Sequence, residues 1–259
     1  MSRKRIRAGA MKISRQTKLK LYGSITAFLI VAFAMGIFYA VWNHNIKTAH
    51  TVDRLTNEQV LQANIINADK LLILAHPDDD ALWAGGHLMS GSWLVVCITN
   101  GRNETRRDEF NRAMNASGNA HIILEYPDKV NGSRDDWSEV RDGLKADIDV
   151  LLNYKNWDII ATHNPDGEYG HQHHKMTSQL VTEGCIQNGM TDRLQYMGKY
   201  YSAKKLPNAI DKLNRITDEQ LQFKEYLLSF YKSQKSTIDN LSHMNPFEEW
   251  QSYSEYYGK

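Results

Sequence analysis

Residues 71–86, LLILAHPDDDALWAGG, constrain the fold more than any other stretch of this chain. Five apolar residues suit a buried strand, stop at His76-Pro77 and run into Asp78, Asp79 and Asp80. Three carboxylates directly behind a buried strand are electrostatically costly unless something cationic offsets them. A divalent metal is the economical offset, with His76 and one aspartate as ligands. The strand-to-helix turn is also where open α/β sheets place their active sites.

From Leu71 onward, short apolar runs alternate with longer amphipathic ones. Strands are expected at 71–75, 93–99, 121–126, 158–163 and 194–201, and helices at 80–90, 104–116, 133–154, 171–187 and 218–239. Strands separated by helices indicate βαβ units and a largely parallel sheet, an α/β fold. The two cysteines, Cys97 and Cys185, provide no disulfide framework.

Upstream, residues 21–42 form a 22-residue run without charge, where ~20 apolar residues span a bilayer core as a helix. Tyr22, Tyr39 and Trp42 sit near its ends, where aromatic side chains favour the interface. Residues 1–42 hold eight Lys/Arg and no Asp/Glu, a bias that keeps the N-terminus cytoplasmic and sends the rest across the membrane. A cleaved signal peptide is the rival reading, but the run exceeds the usual ~7–15-residue apolar region. The expected organisation is a basic cytoplasmic head at 1–20, a transmembrane signal anchor at 21–42, a stalk at 43–68 and an α/β domain at 69–259. After residue 42 there remain 23 basic against 30 acidic residues, which makes the domain a poor candidate for nucleic-acid binding, and no nucleic-acid partner is expected.

Residues 162–175, THNPDGEYGHQHHK, carry the second concentration of chemistry, with four of the ten histidines inside twelve residues. His171 and His174 are spaced i,i+3 at a helix start, as His76 and Asp79 are in the first segment. His173, two positions from His171, is expected to point elsewhere. Two ligands from one turn and one from another helix make a three-ligand site with an open position, the arrangement of a catalytic zinc site. Nitrogen and oxygen ligands suit zinc, with iron(II) or manganese as alternatives.

Together these residues resemble a known family. AHPDDD at 75–80 is similar to the AHPDDE motif of the PIG-L/LmbE-like zinc N-deacetylases, and GHQHH at 170–174 to its Gly-His-x-x-His motif. Thr99-Asn100-Gly101, Arg107-Asp108-Glu109 and Tyr231-Lys232-Ser233-Gln234 resemble further segments of that family. The resemblance spans about 70–240 and implies a Rossmann-like three-layer fold, here an LmbE-like deacetylase domain at 69–259 behind one N-terminal transmembrane helix. It implies zinc ligands His76, Asp79 and His174, with Asp78 as general base toward the attacking water. His171 would act opposite, as acid or charged stabiliser, and Tyr169 would hydrogen-bond the developing oxyanion. The implied substrate is a glycoconjugate containing N-acetylglucosamine; the charge bias around the apolar run, rather than the resemblance, is what puts the catalytic domain of a membrane-anchored enzyme outside the cytoplasm.

Asp80 stands where the family usually has glutamate. Arg107 reads as a structural or substrate-edge cation, and Asp128 as a turn residue or a support for His171. Two other function classes compete. A catalytically silent glycan-binding module of the same fold predicts lost ligands, yet all are present. A different metal-dependent hydrolase, such as a phosphoesterase, usually adds basic clamps or a second metal. The first turn lacks G-x-G-x-x-G, which argues against a dinucleotide-binding enzyme.

Overall fold

The computed structural model describes residues 14–258, so residues 1–13 of the expected basic head lie outside the described residues. The chain divides after Thr48. Helix α1 (Arg15–His50) is 36 residues long and contains an apolar window of mean hydropathy 2.2, none of it buried. At 1.5 Å per residue it extends about 54 Å, more than the ~30 Å hydrocarbon core, so it is long and apolar enough to cross a membrane. A signal sequence has the same properties.

The second unit contains α2 (Asn57–Gln62), β1 (Lys70–Leu74), α3 (Asp79–Ala84), β2 (Trp93–Thr99), α4 (Glu104–Ser117), β3 (Ala120–Tyr126) and the hairpin β4 (Lys129–Val130) and β5 (Ser133–Arg134). There follow α5 (Arg141–Asn153), β6 (Ile159–Thr162), α6 (Gln172–Gln187), β7 (Leu194–Tyr196), α7 (Asp218–Leu228), α8 (Lys235–Leu241), β8 (Gln251–Ser252) and α9 (Tyr253–Tyr257). Among the described residues six strands form one sheet in the order β3-β2-β1-β6-β7-β8, parallel except for β8. The α/β class with a mainly parallel sheet is therefore observed.

Alternate residues of a strand face opposite sides of the sheet, so a strand covered by helices on both sides is apolar throughout. Leu71, Ile73, Leu94 and Val96 join Leu144, Ile148 and Leu151 of α5 and Leu180 and Val181 of α6 in one core. Leu72, Leu74, Val95 and Cys97 face the other way, onto Leu82 and Trp83 of α3, Phe110 and Met114 of α4 and Leu227 of α7. The segment 43–68, expected to be a stalk, contributes Leu55, Val60, Ile65 and Ala68 to the first core. These four apolar residues are spread among polar ones, so the packed face leaves no strong period in the sequence.

Four expected elements differ. Residues 133–140 are not helical: Asn131 and Gly132 both have positive φ, 51° and 84°, and turn β4 into β5. Trp137 and Val140 fall at helical spacing with α5 only by coincidence. The helix expected at 218–239 breaks after Leu228, where Tyr231 turns inward, and resumes as α8. The helix expected at 80–90 ends at Ala84, and the strand expected at 194–201 ends at Tyr196.

Gly85 and Gly86 follow the end of α3. A Cβ on Gly85 would lie 2.7 Å from Cγ of Lys224, and one on Gly86 would lie 3.0 Å from Oε2 of Glu248. The glycines thus leave room for a buried ion pair, Lys224 Nζ to Glu248 Oε1 at 3.0 Å. Glu248 also accepts from the N–H groups of Gly86 (2.9 Å) and His87 (3.2 Å). Burial alone would raise the Glu248 carboxyl, but Lys224 and these donors hold it down at about 2.

Glu248→Gln should therefore cost roughly 3–5 kcal/mol at pH 7, because it leaves Lys224 buried and unpaired. The depressed pKa means the wild-type advantage is complete above about pH 4.5 and fades as pH falls toward 2. Chemical denaturation of both proteins across that range checks it; an equal midpoint at pH 7 would refute the role given to the pair.

Candidate metal centre

The strand order reverses beside β1, whose neighbours are β2 on one side and β6 on the other. Such a switch point opens a crevice at the carboxyl ends of the strands. His76 follows β1 there and His163 follows β6.

Behind β1 the chain turns sharply. Asp78 has φ 111°, a left-handed conformation costly for a non-glycine residue and frequent at functional sites. Asp79 Oδ2 accepts the His76 backbone N–H at 2.8 Å and lies 3.2 Å from His76 Nδ1. Asp80 Oδ1 accepts the Asp78 N–H at 3.2 Å, and the buried Tyr231 hydroxyl donates to the same carboxylate at 2.7 Å. Asp80 thus faces away from the crevice and holds the turn. Asp78 Oδ1 accepts from Arg106 Nη2 at 3.0 Å, and Arg106 also donates to the Pro77 carbonyl. Burial and the adjacent Asp79 push Asp78 up to about 7 against the pull of Arg106.

Behind β6 the loop to α6 uses left-handed backbone at Gly167, Glu168 and Gly170. A Cβ at Gly167 would lie 2.7 Å from the His171 carbonyl, so glycine is required there. The loop buries Glu168, whose Oε2 accepts from His174 Nδ1 at 2.5 Å and from His163 Nδ1 at 3.2 Å. Glu168 thereby fixes the proton of His174 on Nδ1 and leaves Nε2 as the lone-pair nitrogen, the usual support of a metal-ligating histidine. That Nε2 is buried, has no hydrogen-bond partner and lies 3.3 Å from Asp79 Oδ1. His163 has its Nε2 engaged by the Ala75 N–H at 3.0 Å and stacks on His174 with centroids 3.8 Å apart.

The six residues singled out from the sequence meet at this crevice. His76, Asp78, Asp79, Tyr169 and His171 line a cleft of about 510 Å³, and His174 lies beneath it. The His171 ring is 4.7 Å from that of His76 and 4.3 Å from that of His174. Burial and those two histidines hold it down at about 2, so it is neutral rather than a resident cation. Tyr169, 43% exposed, stands at the mouth with its ring 5.8 Å from His174.

Three overlapping triads have donor atoms within 4.8 Å of one another: His76, His171 and His174; His76, Asp128 and His173; and Asp79, His163 and His174. The Asp79 carboxylate lies between His76 Nδ1 and His174 Nε2, and the unpartnered Nε2 is what a divalent cation would satisfy. The donor set of imidazoles and one carboxylate fits zinc or iron(II).

Several residues around the site were not assigned from the sequence. Glu168 and His163 lie inside the second motif, where only their proximity to the histidine pair could have drawn attention. His173 does not point away: its Nδ1 is 3.1 Å from His76 Nε2, because the helix begins only at Gln172. Asp128 faces His76 and His173, each at 3.6 Å, rather than His171. The arginines lining the cleft are Arg106 and Arg134, while Arg107 donates to the Gly101 carbonyl at 3.1 Å.

The sequence model of the PIG-L family, described as GlcNAc-PI de-N-acetylase, matches residues 71–185. A protein of Acanthamoeba polyphaga mimivirus, described as uncharacterized, is 37% identical over 131 residues, 44% of this chain and 56% of that protein. The chain therefore spans just over half the length of that relative. Residues 71–185, the part of the chain that matches the PIG-L model, carry both halves of the crevice.

Proposed function

We propose that the chain is a membrane-anchored, metal-dependent N-deacetylase acting on a glycoconjugate that contains N-acetylglucosamine. The observation that carries this reading is a buried carboxylate poised near neutrality, Asp78, beside a metal-fitting set whose His174 Nε2 has no other partner. The family description supplies the substrate class.

His76, Asp79 and His174 would hold the metal. When bound, it supplies a Lewis acid that polarises the amide carbonyl and acidifies water near neutral pH. Asp78 takes the proton from water as its oxygen attacks the carbonyl carbon. Arg106 keeps that carboxylate aimed into the cleft, and Asp80 with Tyr231 holds the turn on which it sits. Tyr169 donates a hydrogen bond to the carbonyl oxygen as negative charge builds there. The C–N bond then breaks, and the proton carried by Asp78 passes to the departing amine. His171, neutral and with Nδ1 unpartnered, lines the wall beside the leaving group.

Two comparisons test the assignment on the full chain in detergent micelles. His174→Ala should lose bound metal. Asp78→Asn should keep metal while acetate release from N-acetylhexosamine conjugates falls about 10²–10⁴-fold. Equal metal loss in both would overturn the division of roles.

The basic residues ahead of the apolar run support a cytoplasmic N-terminus with the catalytic unit across the membrane. External protease on intact cells should then cut within residues 49–259. Complete protection of that region, with cleavage only after permeabilisation, would place the unit inside.

A further inference from the structure

His173 is fully buried, and its ring stacks on Trp137 with centroids 4.3 Å apart and planes 8° from parallel. Its Nε2 lies 2.7 Å from the backbone oxygen of Asp135, which can only accept, so Nε2 carries the hydrogen. Asp135 is itself fixed: its Oδ1 accepts the Trp137 N–H at 2.8 Å and its Oδ2 lies 2.7 Å from His50 Nε2. With Nε2 protonated, neutral His173 presents a lone pair at Nδ1, and that atom faces His76 Nε2 at 3.1 Å. Two lone pairs cannot share the contact, so His76 Nε2 carries the hydrogen and donates it. When neutral, His76 then has its lone pair on Nδ1, 3.2 Å from the acceptor-only Asp79 Oδ2, a contact that a cation held by both atoms would satisfy.

We propose that His173 is a positioning residue for the metal centre: the relay from the Asp135 carbonyl through His173 to His76 fixes the tautomer and ring orientation in which His76 offers Nδ1 to the cation. The inference rests on His76, Asp79 and His174 being the ligands. Asp128 Oδ1, at 3.6 Å from both His76 Nε2 and His173 Nδ1, is too far to replace His173 as the acceptor. A second cation among His76, His173 and Asp128 would require His76 to give one ring nitrogen to each of two metals.

The test is zinc stoichiometry and affinity, by competition with a chromophoric chelator, on the full chain in detergent micelles. Wild type should bind one equivalent. His173→Phe, which keeps the stack on Trp137 and removes the acceptor, should weaken zinc binding about 10–100-fold. His173→Asn, whose side-chain carbonyl can accept from His76 where Nδ1 did, should stay within about threefold of wild type. Ring ¹⁵N spectra of zinc-loaded wild type should show His76 protonated at Nε2 and metal-bound at Nδ1, a readout that needs no variant to fold. Unchanged affinity in a folded His173→Phe, His76 bound through Nε2, or a second equivalent lost with His173 would each overturn the proposal. Wild-type zinc affinity in His174→Ala would instead sink the ligand assignment beneath it.

Discussion

Everything at this site depends on keeping three consecutive carboxylates out of water. Asp78, Asp79 and Asp80 are 5%, 3% and 0% exposed, and three adjacent charges in one dry turn repel strongly. The fold resolves this by giving each a different environment. Asp79 lies between His174 and His163, which hold it well below its ordinary value despite burial. Burial pushes Asp80 up to about 7, with the Tyr231 hydroxyl opposing, and leaves it a structural brace. Asp78 is raised to a similar level but opens on the cleft with one arginine beside it. Neighbouring carboxylates driven apart in this way acquire separate chemical roles, one holding charge and one moving a proton.

The same constraint accounts for the residues packed behind the histidines. An imidazole is useful to a cation only if its proton is held on the far nitrogen. Glu168 does this for His174 and, on our proposal, His173 does it for His76. The polar groups around the crevice therefore form two layers, one facing the cleft and one fixing the first. Glu168 comes from a loop with left-handed residues at 167–170, and the Asp135 carbonyl behind His173 from another at 131–137, while His173 itself stands in the first turn of α6.

Legibility in the sequence followed the strength of the local signal. The strands β1, β2 and β6 are unbroken apolar runs, so the sheet could be read directly, and AHPDDD and GHQHH are dense enough to carry the resemblance that named the six residues at the crevice. The 131–140 region could not, because Trp137 and Val140 continue the spacing of α5 while Asn131-Gly132 sets a hairpin. Nor could the break in 218–239, which contains no proline or glycine and is set by Tyr231 reaching Asp80 151 residues away. His163, Glu168, Arg106 and His173 belong to the site only through contacts that no spacing rule reports.

The family match ends at residue 185, yet the turn that carries the first motif is held from beyond it. Tyr231 donates to Asp80, and Ser233 donates through both its N–H and its hydroxyl to Glu109 at 2.8 and 2.6 Å. Glu248 accepts from Gly86 at the end of α3, and Lys224 fills the space left by Gly85. The segment 218–248 therefore clamps α3 and α4 from outside the matched region. A buried carboxylate such as Asp80 is affordable only with its partner in place, since leaving it unpaired would cost several kcal/mol. The last third of the chain is thus a condition for the geometry of Asp78 and Asp79, although it contributes none of the proposed ligands.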